Sequence, residues 1–170
     1  MPARPADNEY PEYYSRYISR VPDGDVLDTI KKQIEETVAF LGTIDEKTAN
    51  HRYAPDKWSI KQVVGHLIDI ERLFQYRVLA FARSDPVRLP GMEQDDYVNN
   101  ANFDDRTLSE LIAEYRVTRR AGLALFKSFD DDMQTRKGIA NEVEFTVRAI
   151  PFILAGHDIH HISVIKDRYL

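Results

Sequence analysis

The chain has five histidines, at positions 51, 66, 157, 160 and 161. They carry most of the chemistry it can offer, and their spacing says more than their number. His157 and His161 stand four residues apart, one turn of a helix, so their side chains share a face. That is the spacing with which HExxH-type helices present two imidazoles to one zinc ion. Ile150, Ile153 and Leu154 precede His157 on the same side, and Ile165 follows His161, which turns the pair toward an apolar interior. His66 lies between Val63 and Ile70 on a stripe otherwise made of Val, Ile, Leu and Phe. A single inward histidine is more often a hydrogen-bonded core residue than a ligand. Three on two helices leave several ring nitrogens to satisfy away from water, and one divalent ion satisfies three of them together. His66, His157 and His161 are therefore the expected metal ligands. Pairing His157 with His160 at i, i+3 is the rival choice. Otherwise His160, about 100° round the helix from His161, faces outward or a subunit contact. His51 lies in a connection and reads as a solvated side chain.

Three neutral imidazoles leave coordination positions open for water or substrate, the arrangement of catalytic rather than closed structural sites. An ion held this way lowers the pKa of its water or polarises a substrate oxygen. Asp69, Glu71 and Asp158 are candidates for a base or for orienting a ligand, beside the plainer reading of each as a solvated or salt-bridged helix carboxylate. Trp58 and Tyr97 either line a pocket mouth or pack. None of these is assigned as the catalytic base. The chain has no cysteine, which excludes disulfides, thiolate nucleophiles and Cys-bound metal. Any thiol in the reaction would come from outside.

Four amphipathic segments must position these groups. The first follows Asp25, a candidate N-cap, with Val26, Ile30, Ile34, Val38 and Leu41 at helical spacing. The second opens with the capping-box pair Ser59 and Gln62, carries Val63, Leu67, Ile70, Phe74, Val78 and Phe81, and stops at Ser84-Asp85-Pro86. The third opens with the pair Thr107 and Glu110 and buries Leu108, Leu111, Ile112, Tyr115, Leu123 and Phe126. Residues 130–137 read as a turn or short helix and residues 138–146 as a brief strand or hairpin arm. The fourth helix runs from about Thr146 to Arg168, with Pro151 in its early turns. Four such helices joined by long connections predict an all-α four-helix bundle with at least one crossover. Residues 1–24 form an N-terminal arm and residues 25–170 the bundle domain. The arm's Tyr10, Tyr13, Tyr14 and Tyr17 are too many for a free tail and pack on the bundle or on a partner subunit.

Composition limits the remaining options. In 170 residues, 43% are apolar and 30% charged, with a formal charge of −5. A single globular domain fits these values, and the charge gives no footprint for nucleic acid. The Lys and Arg residues are scattered among acids, apart from Arg119-Arg120, which is expected on a solvated helix face. No apolar run is long enough to span a membrane, and the N-terminus lacks the apolar core of a signal peptide. The expected setting is the cytoplasm, with a small-molecule substrate and no nucleic-acid or membrane partner. The arm tyrosines and the apolar helix faces suggest a homodimer.

Longer stretches resemble a known family. Lys57-Trp58-Ser59-Ile60, Val64-Gly65-His66-Leu67-Ile68-Asp69 and Glu71-Arg72 look like the second helix of the DinB-like (DinB/YfiT-like) metalloenzyme family. The likeness continues through Tyr76-Arg77, Phe81-Ala82-Arg83, Leu89-Pro90-Gly91, Asp95-Asp96-Tyr97 and residues 155–161, Ala-Gly-His-Asp-Ile-His-His. It covers the chain from about Asp25 to Leu170 and leaves the arm out. The resemblance implies a four-helix bundle, often dimeric, with a three-histidine site at one end. Position by position, it carries that site onto His66, His157 and His161. It implies a divalent transition metal (Ni, Zn, Fe or Mn), and either metal-dependent hydrolysis or transfer dependent on a low-molecular-weight thiol. A non-catalytic metal- or ligand-binding protein, or an interaction protein, is the alternative.

Overall fold

Asp25, Ser59 and Thr107 start three helices in the way their residue types predict. The Asp25 carboxylate accepts from the Leu27 N–H at 2.8 Å. Ser59 accepts from the Gln62 N–H at 3.1 Å while Gln62 accepts from the Ser59 N–H at 3.1 Å. Thr107 and Glu110 make the same reciprocal pair at 3.2 and 2.9 Å. Each box satisfies amides that have no acceptor inside the helix.

The structure, a computed structural model, describes residues 2–170. Its elements in chain order are α1 (Ser15–Ile18), α2 (Val26–Leu41), α3 (Glu46–Ala49), α4 (Ile60–Ala82), α5 (Gln94–Asn100), α6 (Leu108–Lys127), α7 (Asp131–Thr135), β1 (Lys137–Ala140), β2 (Val143–Thr146) and α8 (Ala149–Arg168). The long helices α2, α4, α6 and α8 form the four-helix bundle, and a two-stranded hairpin is the only sheet among the described residues. Among the described residues no helix is long and apolar enough to cross a membrane.

Ion pairs and hydrogen bonds fix the topology. Lys61, at the start of α4, reaches the Asp104 carbonyl just before α6, and Gln75 farther along α4 donates to Thr118 on α6 at 2.8 Å. These two neighbours therefore run parallel. Gln33 and Thr37 on α2 bond to Ala155 and Asp158 on α8 in the same rising order, so that pair is parallel too. Parallel neighbours need a return path along the bundle. Residues 83–107 supply it for α4 and α6 and contain α5 and a 3-10 turn at Phe103–Asp105.

The fourth long helix begins at Ala149 rather than near Thr146. Thr146 pairs with Lys137 across the hairpin, and the Val147 N–H bonds to the Arg136 carbonyl at 2.9 Å, so strand pairing holds these residues extended. Pro151 is then the third helical residue, where no intrahelical bond is lost. The hairpin turns at Asn141 and Glu142, with φ of 52° and 61°, the left-handed pair of a tight two-residue turn. Leu89 docks on the hairpin through Leu89 N–H to Ile139 carbonyl at 2.9 Å and Asn141 N–H to Leu89 carbonyl at 3.0 Å. That contact holds the long connection against the bundle.

The arm packs on its own chain. Tyr10, Tyr17, Ile18 and Val21 are buried, whereas Tyr13 stays exposed. Arg4 donates to the Ile18 and Val21 carbonyls at 3.1 and 2.7 Å, and Glu9 pairs with Arg148. Gly156 permits this approach, since a Cβ there would sit 2.0 Å from the Tyr17 carbonyl oxygen.

Candidate metal centre

α4 and α8 run antiparallel and bring His66 opposite His157 and His161. His157 Nε2 lies 3.2 Å from His66 Nε2 and 3.1 Å from His161 Nε2. The three ligand atoms all fall within 4.8 Å of one another. A neutral Nε2 either carries one proton or offers one lone pair, so His157 cannot bond well to both neighbours at once. Two nitrogens that share one ion at about 2.1 Å stand about 3.0–3.4 Å apart. The two measured spacings lie in that range, and the all-nitrogen donor set suits a divalent transition ion.

Burial sets the protonation state. It lowers the His66 pKa to about 4. It lowers His161 to about 3, with the His66 ring adding to the effect. His157 is held well below the ordinary histidine value, first by burial and then by His161 and His66. All three are neutral near pH 7, the form that donates to a metal. His66 Nδ1 is buried without a hydrogen-bond partner, although a carboxylate or carbonyl normally takes that position beside a bound metal.

Two aromatic side chains wall the cluster. The Trp58 ring lies 4.8 Å from that of His66 and the Tyr17 ring 5.2 Å from that of His157. A glycine precedes each of these two histidines and admits the neighbouring element. Gly65 faces the Phe103 ring, which a Cβ would meet at 2.4 Å, as Gly156 faces α1. Nothing in the sequence marked Tyr17 as a wall of the site, because the arm lies about 140 residues from His157 along the chain.

The other sequence candidates divide. His160 is half-buried, its ring 5.6 Å from that of Tyr17, and takes no place in the triad. His51 is exposed in its connection, and Tyr97 is half exposed. Asp69 is half-buried, with its pKa raised by burial, and makes no hydrogen bond to the triad. Asp158 turns away from the histidines and accepts from Tyr115 at 2.7 Å and Thr37 at 3.3 Å. Burial raises its pKa, while Arg119 and those hydroxyls pull it back. Glu71 is paired with Arg119 at 2.7 Å, both side chains almost wholly buried. That overturns the expected solvated position of Arg119; Arg120 is exposed and pairs with Glu35. The signal was present in the spacing. Arg119 falls four residues from both Tyr115 and Leu123, in the buried stripe of α6.

A cavity of about 400 Å³ reaches the cluster from the side of the arm, with His66 and His157 among its lining residues. Its other walls come from Tyr13, Tyr14 and Tyr17 of the arm, from α4, from Met92-Glu93-Gln94 and from the hairpin.

Comparison with known proteins agrees with this architecture. The family model described as the DinB superfamily matches residues 29–165. Among solved structures, YfiT from Bacillus subtilis superposes with a TM-score of 0.72 at 16% sequence identity, over 96% of this chain and 89% of that one. It is described as a probable metal-dependent hydrolase with an unusual four-helix bundle topology. A comparison with curated proteins finds no match.

Proposed function

The chain belongs to the DinB superfamily, and on that premise we propose that it is a metal-dependent hydrolase whose divalent ion is held by His66, His157 and His161. The observation that carries this reading is the convergence of three neutral Nε2 atoms, two of the spacings being 3.1 and 3.2 Å, at the end of a cavity. The description of YfiT as a probable metal-dependent hydrolase supports the reaction class. When bound, the ion supplies Lewis acidity toward a substrate oxygen or an activated water. The chain's own residues then have separable tasks. His66, His157 and His161 hold the charge without adding any of their own. Trp58 and Tyr17 shield the ligand rings from water, which strengthens electrostatic interactions there. The cavity presents a small-molecule substrate to the face formed by His66 and His157.

A second reading, transfer dependent on a low-molecular-weight thiol, is favoured by one observation. Among the described residues no carboxylate hydrogen-bonds to the triad, and a thiol needs less help than water to ionise. The assembly proposed is a cytoplasmic homodimer; a monomer mass by light scattering at micromolar concentration would remove that part alone.

Elemental analysis of protein prepared without a metal-affinity tag tests the site. About one equivalent of a transition metal is expected in the wild type and close to none in His161→Ala. The loaded protein is then assayed on ester, amide and thiol-transfer substrates. Absence of metal from the wild type after incubation with Zn, Ni and Mn would leave the histidines as packing residues and the protein as an interaction module. Metal without turnover would leave a binding protein.

A further inference from the structure

The floor of the cavity is a single stripe along α4. His66, Ile70, Leu73, Phe74 and Arg77 follow one another at spacings of four, three, one and three and all line the cavity. His66 and Arg77 are eleven residues apart, about three turns, so they lie on one face with Cα atoms about 16 Å apart along the axis. Arg77 side-chain atoms reach back from there toward the N-terminal end of the helix, as helical side chains do. The stripe therefore has the histidine cluster at one end, an apolar span in the middle and a guanidinium at the other.

That guanidinium is not provided for by the protein. Arg77 is 3% exposed. Among the described residues its one hydrogen bond runs from Nη2 to the Pro90 carbonyl at 2.8 Å, and its Nε is buried without a partner. No carboxylate forms an ion pair with it, and Glu93 on the cavity rim is not within reach of one. The Phe74 ring, 4.9 Å from the guanidinium carbon, offsets part of the desolvation. Arginine cannot shed its charge by deprotonation, and a buried unpaired charge is costly. Holding the Pro90 carbonyl needs only a neutral donor. An arginine there, charged and facing a cavity, calls for an anion that comes from outside.

We propose that Arg77 is the anion-recognition residue of this cavity and that the substrate is a small carboxylate with an apolar body, its carboxylate at Arg77 and its reacting group toward His66 and His157. The guanidinium carries one charge, which one carboxylate balances, and the cavity lining offers no second cation to balance a dianion. The volume of about 400 Å³ admits a small molecule. The proposal rests on the metal-site reading only for which end of the substrate reacts. Recognition at Arg77 stands without it.

The test uses the full chain stripped of metal, so that no ion can take the carboxylate, and follows binding by isothermal titration. The probes are 4-phenylbutyrate, its neutral amide and the corresponding phosphonate. Wild type is expected to bind the acid at least about tenfold more tightly than the amide. Arg77→Gln loses that preference, Arg77→Lys keeps part of it, and metal uptake by both variants equals that of the wild type. Equal binding of acid and amide by the wild type, or no binding of the acid, overturns the proposal, and this comparison needs no variant to fold. Binding of the phosphonate tenfold above the acid overturns the choice of carboxylate. If the acid preference persists in a protein that takes up no metal, the metal-dependent reading falls and the anion site stands.

Discussion

Two buried polar clusters lie within one turn of each other on α8, and they are built on opposite principles. Around Asp158 every charged group has its partner inside the protein. Glu71 pairs with Arg119, Arg119 also donates to Gln33 at 3.1 Å, Gln33 donates to the Ala155 carbonyl at 3.0 Å, and Tyr115 and Thr37 donate to Asp158. Burial works against the Arg119 charge, yet Glu71, Tyr115 and Asp158 together hold its pKa above the ordinary value. One residue away, His157 faces two like groups that cannot all satisfy one another, and His66 keeps a nitrogen without any partner. The first cluster links all four long helices and matches its buried charges within the protein, although Arg119 Nε has no hydrogen-bond partner. The second sets like groups against one another with no such match. Buried charges are costly unless paired and buried polar groups are normally bonded, so a network whose charges are matched inside the protein is framework, and a set of like groups that cannot satisfy one another marks where a ligand belongs. Arg77, a buried guanidinium without a carboxylate partner among the described residues, extends the rule to the far end of the cavity.

The largest expected effect comes from opening the closed cluster. Arg119→Met leaves the Glu71 carboxylate buried and unpaired, and chemical denaturation should show a loss of about 3–5 kcal/mol. Metal bound per folded chain should not change. A loss below about 1 kcal/mol would mean that water already reaches Glu71 and that the contrast is overdrawn. Closing the open cluster comes next. A saturating divalent ion should raise wild-type stability by about 3–4 kcal/mol when present at a few hundred to a thousand times its dissociation constant. Chelation should remove that gain, and thermal melts of His66→Ala should not show it at all.

Tyr115→Phe should cost about 1–3 kcal/mol, because Asp158 loses its shortest hydrogen bond while remaining buried. An unchanged denaturation midpoint would show that Thr37 and solvent suffice for Asp158. The smallest effect belongs to the partly buried contact between the arm and Arg148. The hydrogen bond from Arg148 lowers the Glu9 pKa below its ordinary 4.5, partly opposed by desolvation. A depressed carboxylate contributes stability that is present above about pH 4.5 and lost as pH falls through the folded value. Solvent screening keeps this contribution below about 1 kcal/mol. Limited proteolysis between residues 2 and 14 should therefore quicken only modestly on acidification, and equally at pH 6 and pH 7.

Much of this was written in local patterns. The capping pairs at Ser59 and Thr107, the apolar stripes of four helices and the inward spacing of His66, His157 and His161 are short-range features, and short-range sterics and amide satisfaction act on them directly. The same stripes held the closed cluster in plain view as polar residues at core positions, Glu71 between Leu67 and Phe74 and Arg119 between Tyr115 and Leu123. The charge of Arg119 and its neighbour Arg120 suggest a solvated position, but its place in the buried stripe of α6 decides otherwise.

By itself, the sequence determined the helices, their inner faces and the three histidines that point into the bundle, because each depends on residues within a turn or two. Only the tertiary structure decided that Asp158 belongs to Tyr115 and Thr37 instead of the histidines, that Tyr17 covers His157, and that Arg77 faces a cavity without a counterion. Those outcomes depend on which groups from distant parts of the chain arrive within about 3–5 Å, the range over which hydrogen bonds and buried charges are settled. No local pattern encodes that arrival.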